Sequence, residues 1–312
     1  MKEFFETSIE AAEQKYSSVN LLTFSSLLSI ASVTIILFLM YYLKIRTQFS
    51  IYMKFLFFSN LCYSLLTILG RILPYTIGNS AGCNIIMVLS LVSKINAIYW
   101  TLSFAISMYF VIVKDQENIS KYLRFHLIIA NLIALPLALF PLFFNGYGVA
   151  RHSSCGISYQ LSVSSRCFLR IFTHYIPFLI AFSVAVFCYR AVMLRLRELE
   201  KTNIEIKAVS RQFLPYQLIL FTGGFIGLTC DLWQIISGDY IDILYVFSLL
   251  VARLQGFFNA LVYGCNRSIK EGISKKCFSG RAEEVQHSFS LTGEDSEESI
   301  YESLDSSDHP KL

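Results

Sequence analysis

Long apolar runs alternate with short polar blocks and divide most of the chain into seven stretches, roughly 21–43, 51–73, 83–113, 122–144, 166–193, 212–236 and 242–263. At 1.5 Å rise per residue, each is long enough to cross a bilayer core of about 30 Å as a helix. The third and fifth exceed a perpendicular crossing, which predicts tilt or projection beyond the bilayer. Within the last stretch, Gln255, Asn259 and Tyr263 are four apart and share one helical face. Beside them Ala252, Gly256 and Ala260 form a ladder of small residues that lets a neighbouring helix approach closely. Such a face points into a bundle, where its polar groups find partners. The pattern predicts an all-α membrane protein: an extracellular segment (1–20), a seven-transmembrane helix bundle (21–263), a short amphipathic eighth helix (264–281) and a cytoplasmic tail (282–312).

The eighth helix rests on the segment after Gly264. Ile269 and Ile273 are four apart, Phe278 follows, and Arg267, Lys270, Lys275 and Lys276 surround them. This reads as an interfacial helix on an anionic leaflet. Cys265 and Cys277 stand where reversible palmitoylation adds an anchor. An ordinary basic flank after a last span is the plainer reading. Beyond it the tail is acidic and rich in hydroxyl residues, so it is expected to be disordered. Ser288, Ser290, Thr292, Ser296, Ser299 and Ser303, with Ser306 and Ser307, are candidate phosphorylation sites, each phosphate adding roughly two negative charges.

Composition agrees with the spans. Of 312 residues 54% are hydrophobic and 15% charged, a balance that excludes a soluble domain. The net charge of +4 hides basic inner loops and an acidic tail. Because the basic residues flank spans and form no single field, nucleic acid is excluded as a partner. Lys44, Arg46, Lys114, Lys121, Arg124, Arg195, Arg197, Lys201, Lys207 and Arg211 all fall on the side of the basic exit segment. The positive-inside rule therefore places the N-terminus outside and the C-terminus in the cytosol. The sequons at Asn118 and Asn266 lie on the cytosolic side and are expected to stay unglycosylated. The first twenty residues lack an apolar h-region, so no cleaved signal peptide is expected.

Two loops are long. The outer one, 145–165, holds Cys155, while Cys83 opens the third span on the same side; in an oxidising exterior they can bridge across the bundle mouth. Cys167 is a competing partner. Cys62, Cys188 and Cys230 read as small apolar residues. The inner segment, 194–211, is expected to continue the fifth helix into the cytosol. Pro215 is expected in the first turn of the sixth span, and Pro136, Pro141 and Pro177 are expected to kink the fourth and fifth.

Charges inside the spans point to a function. Lys94, Asp231 and Arg253 lie within apolar runs, where an unpaired charge is costly and faces a cavity or a partner. Lys94 is eleven residues past Cys83, close to three turns, so both project from one side of the third helix. With Arg71, Arg170 and His174 these residues are candidates to surround an outward-facing ligand cavity. The excess of cations suggests an anionic ligand. A structural ion pair of Asp231 with Lys94 or Arg253 is the alternative. No metal-ligand spacing, phosphate loop or catalytic constellation is present, so no cofactor and no enzyme activity are expected. A retinal-binding pump would need a Schiff-base lysine where the last span has Arg253.

The run LQGFFNALVYGCNRSIKEGI, through Gln255, Gly256, Asn259, Tyr263 and Asn266, resembles the seventh and exit helices of G-protein-coupled receptors of the slime-mould cyclic-AMP-receptor-like group, related to secretin and adhesion receptors. The likeness extends through the seven-span plan, Cys83 and Cys155. Rhodopsin-like signatures are absent: the third span ends SMYFVIVKDQE, and Asn259 precedes Ala260. The resemblance implies a plasma-membrane receptor that passes an extracellular signal to a heterotrimeric G protein. It also implies a receptor kinase and an arrestin-like protein at the tail. The polar stripe Gln255, Asn259 and Tyr263 reads as a switch, since exchanging its partners holds two arrangements, and a stripe that only fastens the bundle is the plainer reading. A seven-span transporter or channel is the alternative.

Overall fold

The computed structural model describes residues 2–44, 48–76, 80–116, 122–149, 154–158, 160–199, 204–237, 242–265 and 269. Among them are seven long helical rods: α1 (Lys2–Tyr42), α2 (Gln48–Thr76), α3 (Ser80–Val113), α4 (Leu123–Leu139), α5 (163–199), α6 (Ile204–Ser237) and α7 (Asp242–Gly264). Six contain stretches long and apolar enough to span a bilayer; α6 is the remaining rod, 34 residues long. The chain is a multi-pass membrane protein with a seven-helix bundle.

The bundle packs around α3, which lies against α2, α4 and α5. Helix α7 closes the ring, wedged between α1 and α6. The α1–α7 seam is tight because of the small-residue ladder: a Cβ at Gly256 would collide with Ser29 Oγ and lie 3.1 Å from Val33. Outward faces carry large apolar side chains such as Phe38, Ile128, Leu132 and Phe187, which suit lipid. Inward faces carry serines, among them Ser25, Ser26, Ser29 and Ser64. The Ser25 and Ser26 hydroxyls donate back to the Leu22 carbonyl at 2.8 and 3.2 Å, so both are satisfied within their own helix.

The prolines act differently from one another. Pro136 lies inside α4, and Pro141 begins the change to the tight helical turn Phe140–Phe144 that ends the rod. In α5, a π-turn (Ile171–Tyr175) separates Val163–Arg170 from Ile176–Leu199. Pro177 lacks the N–H that the Thr173 carbonyl needs, and the Ile176 N–H reaches back five residues to Ile171. Pro215, expected in a first turn, instead lies well inside α6, because IEIKAVSRQF favours helix and the rod starts at Ile204. The inner segment 194–211 therefore divides between the end of α5 and the start of α6. Helix α1 likewise reaches upstream of the apolar span to Lys2.

Outside the rods, β1 (Tyr147–Val149) and β2 (Cys155–Ile157) form an antiparallel hairpin with Val149 opposite Cys155. It lies on α3, and β2 also touches α2. The Tyr147 hydroxyl donates to the Ala138 carbonyl at 2.7 Å. Burial pushes this phenol well above its usual pKa, so it stays a donor. The amphipathic segment after Asn266, with Cys277, and the tail with Ser288, Ser290, Thr292, Ser296, Ser299 and Ser303 lie outside the described residues, Ile269 excepted.

Candidate ligand cavity

Cys83 and Cys155 are joined by a disulfide with Cα atoms 5.2 Å apart. The bridge pins the hairpin to the top of α3. Cys167, the competing partner, is buried on α5 with its thiol directed at Gln234 Oε1, 3.7 Å away.

Beneath the hairpin is a cavity of about 260 Å³ enclosed by α2, α3, α5, α6 and α7. Arg71, Lys94, Arg170, His174, Asp231 and Arg253 all line it. Five helices thus bring to one space six residues that the sequence spreads over more than 180 positions. The three-turn spacing explains Lys94: Cys83 faces the hairpin, and Lys94 faces the space below it.

The charges settle into two ends. At the α5–α6 end, Arg170 Nη1 meets Asp231 Oδ1 at 2.7 Å, and the Tyr175 hydroxyl donates to Asp231 Oδ2 at 2.6 Å. Arg170 also lies over the Tyr245 ring, 5.9 Å from its centroid. Arg170 precedes the π-turn and Tyr175 is its last residue, so one carboxylate on α6 grips both ends of that irregular segment. The sequence alternative of an ion pair between Asp231 and Lys94 or Arg253 is corrected here: the partner is Arg170. Adjacency alone does not choose it, since α6 packs against α7, which carries Arg253, as well as against α5; Arg253 instead donates to the Leu22 carbonyl of α1.

The end formed by α2, α3 and α7 is cationic. Lys94 Nζ lies 5.9 Å from the Tyr63 ring centroid. Arg253 is 8% exposed and donates from Nη1 to the Leu22 carbonyl at 2.9 Å. Arg71 Nη1 donates to Thr23 Oγ1 at 2.9 Å, one residue along α1. The same turn of α1 therefore orients two guanidinium groups.

Glycines give the cavity its α6 wall. A side chain at Gly224 would strike the Phe178 ring, and a Cβ at Gly227 would lie 3.1 Å from the Tyr175 hydroxyl. Tyr63, Tyr175 and Tyr245 are cavity residues that sequence reasoning missed, because tyrosines within spans read equally well as lipid-interface residues. Pro177 was the one signal for the π-turn.

Gln255 touches the cavity, Asn259 lies fully buried one turn below, and Tyr263 meets Phe57 edge-on with centroids 5.5 Å apart. Gln255 Nε2 and Asn259 Oδ1 have no hydrogen-bond partner among the described residues. Cys265, just past α7, is exposed.

No family model matches the chain, and no curated protein does. Among solved structures, squid rhodopsin is similar with a TM-score of 0.62 over 84% of this chain and 85% of that one, at 14% identity. That likeness shows the fold: a seven-helix bundle like that of squid rhodopsin. Helix α7 carries no lysine.

Proposed function

We propose that this protein is a G-protein-coupled receptor of the plasma membrane that binds a small extracellular anion and signals to a heterotrimeric G protein. The observation that carries the reading is the cavity beneath the disulfide-pinned hairpin, where four cationic side chains and one carboxylate converge within a rhodopsin-like bundle. The N-terminus lies outside and the C-terminus in the cytosol, as the basic inner loops require. Among receptors, the cyclic-AMP-receptor-like group is the one the α7 sequence supports. The chain acts without a cofactor and performs no catalysis.

Binding at the cavity reaches the inner surface by rearrangement of helices, and the stripe Gln255, Asn259, Tyr263 runs from the cavity along that path. Arg71, Lys94, Arg170, His174, Asp231 and Arg253 contact ligand or position those that do. Cys265 and Cys277 take reversible palmitoylation. Ser288, Ser290, Thr292, Ser296, Ser299 and Ser303 are phosphorylated by a receptor kinase and then engage an arrestin-like protein. The test is nucleotide exchange on a G protein reconstituted with the full chain, during a screen of small anions. Anion-stimulated exchange supports the reading. Anion flux into liposomes holding the chain alone, without exchange on any G protein, would favour a transporter or channel.

A further inference from the structure

Two cations in the cavity stand apart from the rest. Among the described residues no carboxylate lies within ion-pair distance of Lys94 or Arg253, whereas Arg170 has Asp231 at 2.7 Å. Both border Tyr63: Lys94 Nζ lies 5.9 Å from its ring centroid, and Arg253 is within electrostatic reach of it. Arg253 cannot swing away, because Nη1 is held by the Leu22 carbonyl and the side chain is buried. A guanidinium has five N–H donors, so those not spent on Leu22 remain for the cavity it lines. An ammonium and a guanidinium that line one cavity in a membrane interior, where the carboxylate is engaged by Arg170, are completed by an incoming anion.

We propose that Lys94 and Arg253 form the acid-binding end of the cavity and select a dianionic ligand, either a phosphate monoester or a dicarboxylate. The proposal rests on reading the cavity as the ligand site. Two negative charges balance those of Lys94 and Arg253, with Arg71 at the same end donating to Thr23 Oγ1, while a monoanion leaves one of the two cations exposed to a low dielectric. The hydroxyls of Tyr63, Thr67 and Ser90, which line the same wall, complete the shell around the remaining oxygens. Asp231 is bonded to Arg170 and Tyr175 through its two oxygens and acts on Lys94 only at longer range. It sets the polarity of the far end, against which the body of the ligand lies.

The experiment is thermal unfolding of the full chain in nanodiscs of zwitterionic lipid, with four probes at equal concentration: phenyl phosphate, 2-oxoglutarate, butyrate and butyramide. One or both dianions should raise the unfolding temperature, and which one does so identifies the acid. Butyrate and butyramide should not. Lys94→Met should unfold at a higher temperature without ligand and bind the dianion about tenfold to a hundredfold more weakly. Lys94→Arg should retain binding. If Lys94→Met does not fold, Lys94→Glu, which places a carboxylate in the cavity that Arg253 lines, should fold and ignore the dianions. The proposal is overturned if no probe stabilises the protein, if butyrate matches the dianions, or if every folded Lys94 variant keeps the wild-type shift. Stabilisation without any effect on nucleotide exchange would leave the acid site standing and remove the receptor reading.

Discussion

The two ends of the cavity solve the same problem in opposite ways. At the α5–α6 end a buried carboxylate is answered by an arginine and a tyrosine, all within 2.7 Å. At the α2–α3–α7 end Lys94 lies by an aromatic face and Arg253 meets a backbone carbonyl, and among the described residues neither has a carboxylate at ion-pair distance. A charge that is fully answered holds helices together, and removing its partner is costly. One that is answered only by neutral groups leaves room for a charged visitor. Burial alone does not make a polar residue a binding residue; what matters is whether its charge is already spent.

The largest expected effect breaks the satisfied end. Asp231→Asn leaves Arg170 without its counter-ion and frees the π-turn, and it should cost about 4 kcal/mol in stability. Thermal unfolding of the purified chain measures it; a loss no larger than that of an exposed acid would mean that the two ends do not differ. Next, Cys155→Ser detaches the hairpin that roofs both ends. The bridge spans 72 residues, and its loss should cost about 3 kcal/mol and lower surface delivery, read by labelling intact cells. Surface delivery equal to the parent's would show that the hairpin needs no pin.

A smaller effect tests the packing behind the cationic end. Gly256→Val forces α7 off Ser29 of α1 and should cost about 2 kcal/mol, with loosening read as faster hydrogen exchange in 20–30. Exchange that rises only in α5 and α6 would contradict the seam. The smallest expected change is at Asn259. Its Oδ1 has no partner among the described residues, so Asn259→Ala should leave stability within about 1 kcal/mol of the parent. If the stripe is a switch, the same change should alter basal against stimulated nucleotide exchange at matched surface expression. A lowered unfolding temperature with unaltered exchange would make Asn259 a fastener only.

Much of this was legible in the chain. Apolar run length gave seven spans, because a bilayer imposes one crossing distance on every helix. The spacing from Cys83 to Lys94 gave a shared helix side, and the ladder Ala252, Gly256, Ala260 gave a packing seam, because both follow from 3.6 residues per turn. The six cavity residues were legible as a set, since charge inside an apolar run is rare for a physical reason. Pairings were less so: Cys155 had two eligible partners, and Asp231 had several.

The sequence by itself determined the periodicities: what is buried in lipid, where helices run, and which side chains share a face. These are local properties of one helix in one solvent. Only the tertiary structure decided partners, because a partner depends on which helices are neighbours and at what height. It set Arg170 and Tyr175 of α5 against Asp231 of α6, chose Cys83 over Cys167 for Cys155, and turned Arg253 towards the Leu22 carbonyl 231 residues away. It also placed the π-turn, which no periodicity announces, where the missing N–H of Pro177 meets the pull of a carboxylate from the next helix.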